Sequence, residues 1–153
     1  MGHSVMSLVD TNIFIQYLLD GDRAAEAEKL LVFHVDLAVT IGIIDEVEFV
    51  IIRRLAEKRL GIRSLKKLKE YIRSRGLDFA SDVLERYTSM LQEFEITILR
   101  DYAEPRELLE TMKKYKLTPS DAIIALTCKH YGINTILTFD EDFKRVPWLK
   151  VIP

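Results

Sequence analysis

Four acidic residues stand beside segments that have the sequence pattern of a strand end or a helix start. Asp10 follows the apolar stretch at residues 5–9, and Asp140 closes the apolar stretch "NTILTFD". Asp121 is the third residue of the helix that "TPSD" begins, and Glu46 lies in the first turns of another helix. Carboxylates gathered without a basic partner repel one another, and a divalent cation removes that repulsion. Because Mg²⁺ and Mn²⁺ prefer oxygen ligands, the four acids predict a site for a hard cation.

Such a site is suited to the cleavage of a phosphodiester bond. A bound divalent metal lowers the pKa of an attacking water and stabilises the leaving oxygen. The sequence has no glycine-rich phosphate loop, nucleophile elbow or redox pair of cysteines, so it gives little support to nucleotide triphosphate or covalent-serine chemistry. Its three histidines are too scattered to indicate a zinc site, and its single cysteine excludes an internal disulfide.

Three of the four acids also have a simpler explanation when each is taken alone. Asp10 suits the N-cap of the helix that follows it, and Asp121 fits a capping box with Thr118. Asp140 and the nearby Asp142 suit a turn that leads into a short helix. Capping does not exclude a second role, because an acid at a helix start also benefits from the helix dipole. The convergence of the acids, rather than any one of them, favours a metal site.

Glu46 is the acid that capping explains least. It belongs to a predicted helix at residues 41–59 whose first half is apolar on nearly every side, so we expect Glu46 to be buried. A buried carboxylate costs free energy unless it is paired or bound to a metal. Asp45 and Glu48 are its neighbours, and helical geometry alone does not choose among the three.

Predicted strands and helices alternate along the chain. Strands are predicted at residues 5–9, 35–40 and 94–99 and at "NTILTFD", and "LKVI" would supply a fifth. Helices are predicted at residues 13–19, 24–33, 41–59, 64–74, 78–93, 104–115 and 119–131. This order predicts one domain over residues 1–153, an α/β three-layer sandwich with a mainly parallel central sheet of four or five strands flanked by helices. Ligands bind such sheets at the carboxyl ends of the strands, which is where the acids are expected.

Positive charge is concentrated in one part of the chain. Residues 53–75 contain ten Lys or Arg against two Glu, a local charge of +8, so the remainder carries −10 for a net charge of −2. This basic run opens a helical segment at about residues 53–92 and suits the phosphates of a polyanion. The alternative is a solvated helix face that binds nothing. The candidate phosphate contacts are Arg53, Arg54, Arg63, Lys66, Lys69 and Arg73.

The composition and the N-terminus indicate where such a protein works. No apolar run approaches the roughly 20 residues that a membrane span needs. The first residues lack the basic stretch and apolar core of a signal peptide. Together with the single cysteine, these features favour a cytoplasmic protein without a membrane partner.

The motifs taken together resemble a known family. They are "VDTN" at residues 9–12, "IIDEVEFVIIRR" at 43–54, "LTPSDAIIALTCKHYGINTILTFDEDF" at 117–143 and the closing "WLKVI". In order and spacing they are similar to the PIN domain family, and within it to the small toxin ribonucleases of the VapC type and their archaeal relatives. The resemblance spans nearly the whole chain and is most specific at residues 117–143.

The resemblance implies a parallel sheet flanked by helices and an acidic pocket that binds Mg²⁺ or Mn²⁺ and cleaves RNA. Glu46 matches the second acid of the family best, and Glu48 stays open as the alternative. The catalytic acids and metal ligands implied by the motifs are Asp10, Glu46, Asp121 and Asp140, with Asp142 as a further metal ligand. The small polar residues that would orient a water or a carboxylate are Thr11, Asn12 and Thr138.

The hypothesis from the sequence is therefore a Mg²⁺- or Mn²⁺-dependent endoribonuclease. The resemblance also implies a homodimer and a small antitoxin protein as partner. The alternative is a PIN-like module that binds RNA or a protein without cutting, but a retired site has no need to keep four mutually repelling acids. A receiver domain and an Asp-x-Asp phosphatase fit less well, because a single Asp ends the first strand and Asn12 stands where the second acid would be.

Overall fold

The computed structural model describes residues 6–153, in which five short strands form one sheet. The strands are β1 (Ser7–Val9), β2 (Leu37–Thr40), β3 (Thr97–Leu99), β4 (Thr135–Leu137) and β5 (Lys150–Ile152). Their order in the sheet is β3-β2-β1-β4-β5, and every neighbouring pair is parallel. The mainly parallel sheet predicted from the alternation of elements is confirmed, and the fifth strand is present.

Helices flank this sheet and complete a three-layer α/β sandwich. They are α1 (Thr11–Leu18), α2 (Ala24–Phe33), α3 (Ile41–Leu60), α4 (Leu65–Arg75), α5 (Ser81–Glu93), α6 (Pro105–Tyr115) and α7 (Pro119–Tyr131). Gly61, with a φ of 68°, and Gly132, with a φ of 71°, end α3 and α7 in the left-handed conformation that glycine adopts without strain. Both stops are where the sequence predicts them.

All the strands are shorter than predicted, and in two of them a left-handed residue interrupts the extended run. Asp36 has a φ of 54°, so β2 begins only after it. Glu95 has a φ of 51° and Phe94 still caps α5, so β3 begins only at Thr97. The apolar alternation at residues 94–99 therefore predicted a longer strand than the structure contains. Residue 5, the predicted start of the first strand, lies outside the described residues, and β1 starts at Ser7.

The two central strands and the first helix form the rigid support of the sheet edge. Every residue of β1 and β2 is buried, as expected for parallel strands covered on both faces. Phe14 of α1 packs edge to face against Tyr87 of α5, with 5.1 Å between the ring centroids. These contacts fix α1, and with it the residues at the carboxyl end of β1. None of the described helices combines the length and the apolar character that a membrane crossing requires.

Candidate metal centre

An acidic cleft of about 240 Å³ opens at the carboxyl ends of β1 and β4. These strands are neighbours in register, with Val9 opposite Leu137, so the residues that follow them meet at one edge. Ten residues line the cleft, and the acids among them are Asp10, Glu46, Asp121 and Asp140. The structure thus brings the four sequence-selected acids to one place. Arg54 is the one positively charged residue in the lining of this cleft.

Asp10 is held almost out of contact with solvent by hydrogen bonds. Only 6% of its surface is exposed. Its Oδ1 accepts from the Thr11 backbone N–H at 2.8 Å, and its Oδ2 accepts from the Thr138 hydroxyl at 2.7 Å. Burial raises the pKa of Asp10 to about 6, and the nearby charges of Asp121 and Glu46 add to that effect, while the two donors oppose it. The Asp10 carboxylate is therefore fixed in position and poorly solvated, which favours its binding to a cation in the cleft.

Thr138 is the hub that joins the residues after β1 to those after β4. Besides donating to Asp10, its Oγ1 accepts from the Asp140 backbone N–H at 2.9 Å and from Asn12 Nδ2 at 3.2 Å. Asn12 Oδ1 in turn accepts from the Phe139 N–H at 3.1 Å. The sequence singled out Asn12 and Thr138 as small polar supports, and the structure places both against Asp10.

Replacement of Thr138 by Val is expected to destabilise the protein by about 1–3 kcal/mol, because it leaves buried partners of the hydroxyl without their hydrogen bonds. The pKa of Asp10 should rise further, since the donor that favours its ionised form is lost. Thr138→Ser should restore most of the free energy of unfolding. Urea denaturation measures both variants, with Thr88→Val at an exposed position of α5 as the control of matched shape. Equal destabilisation by the Val and Ser variants would contradict the role of the hydroxyl.

Asp121, Asp140 and Asp142 form the second part of the site. One carboxylate oxygen from each lies within 4.8 Å of the others. Thr118 caps α7 by accepting from the Asp121 N–H at 3.4 Å, and this cap carries Asp121 toward the cleft. Burial raises the pKa of Asp121 to about 6, and repulsion by Asp140, Glu46 and Asp142 raises it too. Three carboxylates this close are poorly compatible without a counter-charge.

Asp142 differs from the other acids because it is exposed and already paired. Its Oδ1 accepts from Arg145 Nη1 at 2.9 Å. Its backbone N–H donates to Asp140 Oδ1 at 2.9 Å, so the turn explanation offered by the sequence is also correct. Asp142 therefore stands at the solvent side of the acidic cluster.

Glu46 is exposed, and the expectation that it is buried was wrong. The buried face of α3 passes through Ile43, Val47 and Ile51, while the apolar Phe49 is 43% exposed. An apolar composition therefore did not mean burial on every side. Glu46 nevertheless faces the cleft, because it lines the cavity and its charge raises the pKa of both Asp10 and Asp121.

The structure also separates Glu46 from its neighbours on α3. Glu48 is half-buried, and burial raises the pKa of Tyr87 in the core, with the Glu48 charge adding to that rise. Asp45 is exposed, and the cleft lining contains Glu46 alone of the three acids. The geometry therefore favours Glu46 as the acid that α3 contributes.

Asp101 is a further acid at this sheet edge that the sequence reasoning missed. It follows β3 by two residues, and its Oδ2 accepts from the Gly42 N–H in the first turn of α3 at 2.8 Å. A Cβ on Gly42 would lie only 2.7 Å from Asp101 Oδ1, so a larger residue there would force the Asp101 carboxylate to shift. The rule that picked out Asp10 would have found Asp101, because both acids come just after a strand. Asp101 and Glu46 line an adjoining cavity of about 200 Å³.

The residues of the acidic cleft fit a divalent cation. The side-chain atoms that could bind a metal there are carboxylate, hydroxyl and amide oxygens, which suit Mg²⁺ or Mn²⁺ rather than zinc. The Thr11 hydroxyl is buried there and has no hydrogen-bond partner among residues 6–153, although such groups are usually satisfied. A bound cation with its waters would satisfy this hydroxyl and reduce the repulsion among the acids.

Comparison with known sequences gives an independent result. The family model described as the PIN domain matches residues 7–149. "Ribonuclease VapC2" of Methanocaldococcus jannaschii is 36% identical over 147 residues, which cover 94% of this chain and 90% of the relative. The family-model match therefore spans every residue of the acidic cleft.

Comparison with solved structures agrees on the fold. The crystal structure of PAE2754 from Pyrobaculum aerophilum superposes with a TM-score of 0.58 at 20% identity, covering 99% of this chain and 87% of that one. The structure of VapBC2 from Rickettsia felis bound to a DNA fragment from their promoter gives a TM-score of 0.54 at 17% identity, covering 96% and 97%. At these identities the likeness concerns the fold alone.

Proposed function

This chain belongs to the PIN domain family, and on that premise we propose that it is a Mg²⁺- or Mn²⁺-dependent endoribonuclease of the VapC type. The observation that carries the proposal is the convergence of Asp10, Glu46, Asp121 and Asp140 on one cleft. The 36% identical relative that is named a ribonuclease supports it. We take the catalytic domain to be the whole chain, residues 1–153.

The proposed site divides its work among the residues already described. Asp10, Glu46, Asp121 and Asp140 would hold the metal, with Asp142 at the solvent side. Mg²⁺ or Mn²⁺ bound there would activate an attacking water and stabilise the leaving oxygen of the phosphodiester. Thr138 and Asn12 keep the Asp10 carboxylate in one orientation. Arg54 projects a positive charge into the same cleft, where it would contact the substrate phosphate.

A cleavage assay tests the activity directly. The purified chain is incubated with a pool of structured and unstructured RNAs, with Mn²⁺ or Mg²⁺ and then with an excess of EDTA. We expect cleavage that requires the metal and disappears with the chelator. Cleavage that persists in EDTA would contradict the metal-dependent mechanism, and intact RNA under all metal conditions would contradict the ribonuclease.

The basic segment supports RNA as the substrate. All six candidate phosphate contacts are exposed, two on the C-terminal half of α3, one in the loop after it and three on α4. They are Arg53, Arg54, Arg63, Lys66, Lys69 and Arg73. Phosphate contacts of this kind supply affinity and position but little sequence information.

Removal of two charges from α4 is expected to weaken RNA binding uniformly across sequences. The Lys66→Gln/Lys69→Gln variant should reduce the slope of log affinity against log salt by about 1.4, since each phosphate contact on a single strand contributes about 0.7. Fluorescence anisotropy over a series of salt concentrations measures the slope. Lys113→Gln/Lys114→Gln on α6 removes the same charge outside the basic segment and should leave the slope unchanged. Equal effects of the two double variants would assign the binding to net charge alone.

We further propose that the protein acts in the cytoplasm as a homodimer and pairs with a small antitoxin. The 36% identity to a relative named VapC2 motivates the antitoxin partner, because the resemblance to VapC-type toxins implies one. Co-expression with any short reading frame that adjoins its gene, followed by size-exclusion chromatography with light scattering, tests both assemblies. A monomer that does not co-elute with the product of that reading frame would contradict both the homodimer and the antitoxin complex.

A further inference from the structure

A second groove lies between the C-terminal half of α3 and the segment that leads into α4. We call it the arginine groove; its volume is about 290 Å³. The residues that define it are Phe49, Arg53, Arg54, Ile62, Arg63 and Leu65. Val50 and Arg54 line both this groove and the acidic cleft, so the two cavities adjoin. A polymer bound across the acidic cleft would enter the arginine groove at Arg54.

The groove carries positive charge that the protein does not fully neutralise. Arg63 pairs with Glu57 at 3.3 Å, but both side chains are largely exposed, so the pair is weak. Arg53 and Arg54 form no ion pair within residues 6–153. Guanidinium groups beside a phosphodiester-cleaving centre complement the phosphates on either side of the scissile bond.

The same groove exposes apolar surface. Phe49 is 43% exposed and Leu65 is 47% exposed. The Arg53 guanidinium carbon lies 5.8 Å from the centroid of the Phe49 ring. An accessible aromatic ring beside arginines binds unpaired nucleotides, because the base stacks on the ring while its phosphate contacts the cations. A base inside a duplex has no free face to offer.

We propose that the arginine groove binds one unpaired nucleotide next to the scissile phosphate, with its base against Phe49 and Leu65 and its phosphate against Arg53 and Arg54. The inference rests on the proposed ribonuclease function and deepens it by adding a subsite for one base beside the scissile phosphate. A substrate that is paired next to the cleavage position would lose the contact with Phe49.

Abasic scanning of an unstructured RNA oligonucleotide tests the proposal. Each nucleotide near the cleavage position is replaced in turn by an abasic one, which keeps the phosphate and removes the base. For the native chain we expect one flanking position at which the abasic change lowers kcat/KM about tenfold, the usual loss for one stacked base. Phe49→Ala should lower kcat/KM for the intact RNA by a similar factor and be insensitive to the abasic change. Phe49→Trp should keep the native pattern.

Phe33→Ala is the matched control, because Phe33 is 77% exposed on α2 and lines neither cavity. It should show the native abasic pattern. A Phe49→Ala variant that cleaves with the native pattern would overturn the proposal, and this is also the result expected if the groove holds a protein partner instead of RNA. Circular dichroism and thermal melting establish that each variant is folded.

Binding of the same oligonucleotides, measured by fluorescence anisotropy with EDTA present, separates the groove from the chemistry. Binding that shows the abasic penalty and depends on Phe49 supports the groove even if the chain never cleaves, a result that would contradict only the ribonuclease. Cleavage without any abasic penalty in either assay would overturn only the groove. The absence of both cleavage and the abasic penalty would overturn both the ribonuclease and the groove.

Discussion

Replacement of Asp121 by Asn is expected to lower the rate of metal-dependent RNA cleavage by more than about 100-fold, because residues that only orient a metal ligand already contribute about 10- to 100-fold. The substitution keeps the size of the side chain and the backbone N–H that donates to Thr118. It removes one of the negative charges that would hold the cation. The loss of activity should therefore come without unfolding.

The stability of the metal-free variant sharpens this prediction. Burial and the charges of Asp140 and Glu46 raise the pKa of Asp121 to about 6, so at pH 7.5, where the group is ionised, its charge destabilises the folded metal-free protein relative to the unfolded chain. The neutral Asn should leave the melting temperature of the metal-free protein unchanged or higher. Mn²⁺ should raise the melting temperature of the native chain and have little effect on the variant.

Asp45→Asn is the matched control for Asp121→Asn, since Asp45 is an exposed acid next to Glu46 that does not line the cleft. It should retain native cleavage and the native response to Mn²⁺. Full activity of folded Asp121→Asn would remove Asp121 from the metal site. A loss of activity in both variants would instead point to net charge.

The meeting of the acids was predictable because it follows from topology. Parallel strands place their carboxyl ends together, and β1 and β4 pair with Val9 opposite Leu137. Asp10 and Asp140 follow those strands and so reach one edge whatever the details of the side chains. The helix caps were predictable from local sequence, since α7 begins after Thr118 and ends before Gly132, as their residue types suggest.

The exposure of Glu46 and the arginine groove were not predictable because both depend on how α3 and α4 pack. The sequence shows an apolar first half of α3, but α3 buries Ile43 and Val47 and leaves Phe49 43% exposed. The turn at Gly61 decides where α4 returns, and that path creates the groove. Hydrophobic composition reports how much surface a helix can bury, not which neighbours are present to bury it.

Mn²⁺ binding is expected to weaken about 100-fold between pH 7.5 and pH 5. Asp10 and Asp121 both have pKa values raised to about 6, mainly by burial. At pH 5 each group is roughly nine-tenths protonated, and both must lose their proton to bind a cation, so each contributes about tenfold. Carboxylates with ordinary pKa values near 4 would weaken binding less than about twofold over the same range.

The same shifts set the pH dependence of stability. A carboxyl whose pKa is higher in the folded protein than in the unfolded chain stabilises the fold below the unfolded pKa of 3.8, and that contribution is lost as the pH rises toward 6. The metal-free chain therefore loses the contribution of these two groups between about pH 4 and pH 6. Mn²⁺ should raise the melting temperature strongly at pH 7.5 and little at pH 5, because the cation requires the ionised forms.

Isothermal titration calorimetry in buffers of different ionisation enthalpy measures the protons released on Mn²⁺ binding. Between one and two protons should be released at pH 5 and almost none at pH 8. Asp45→Asn, which leaves the cleft intact, should release the same number as the native chain. Release of fewer than about 0.3 protons at pH 5 would mean that the acids that bind the metal are already ionised. Asp10 and Asp121 would then not be the ligands, whatever their position in the cleft.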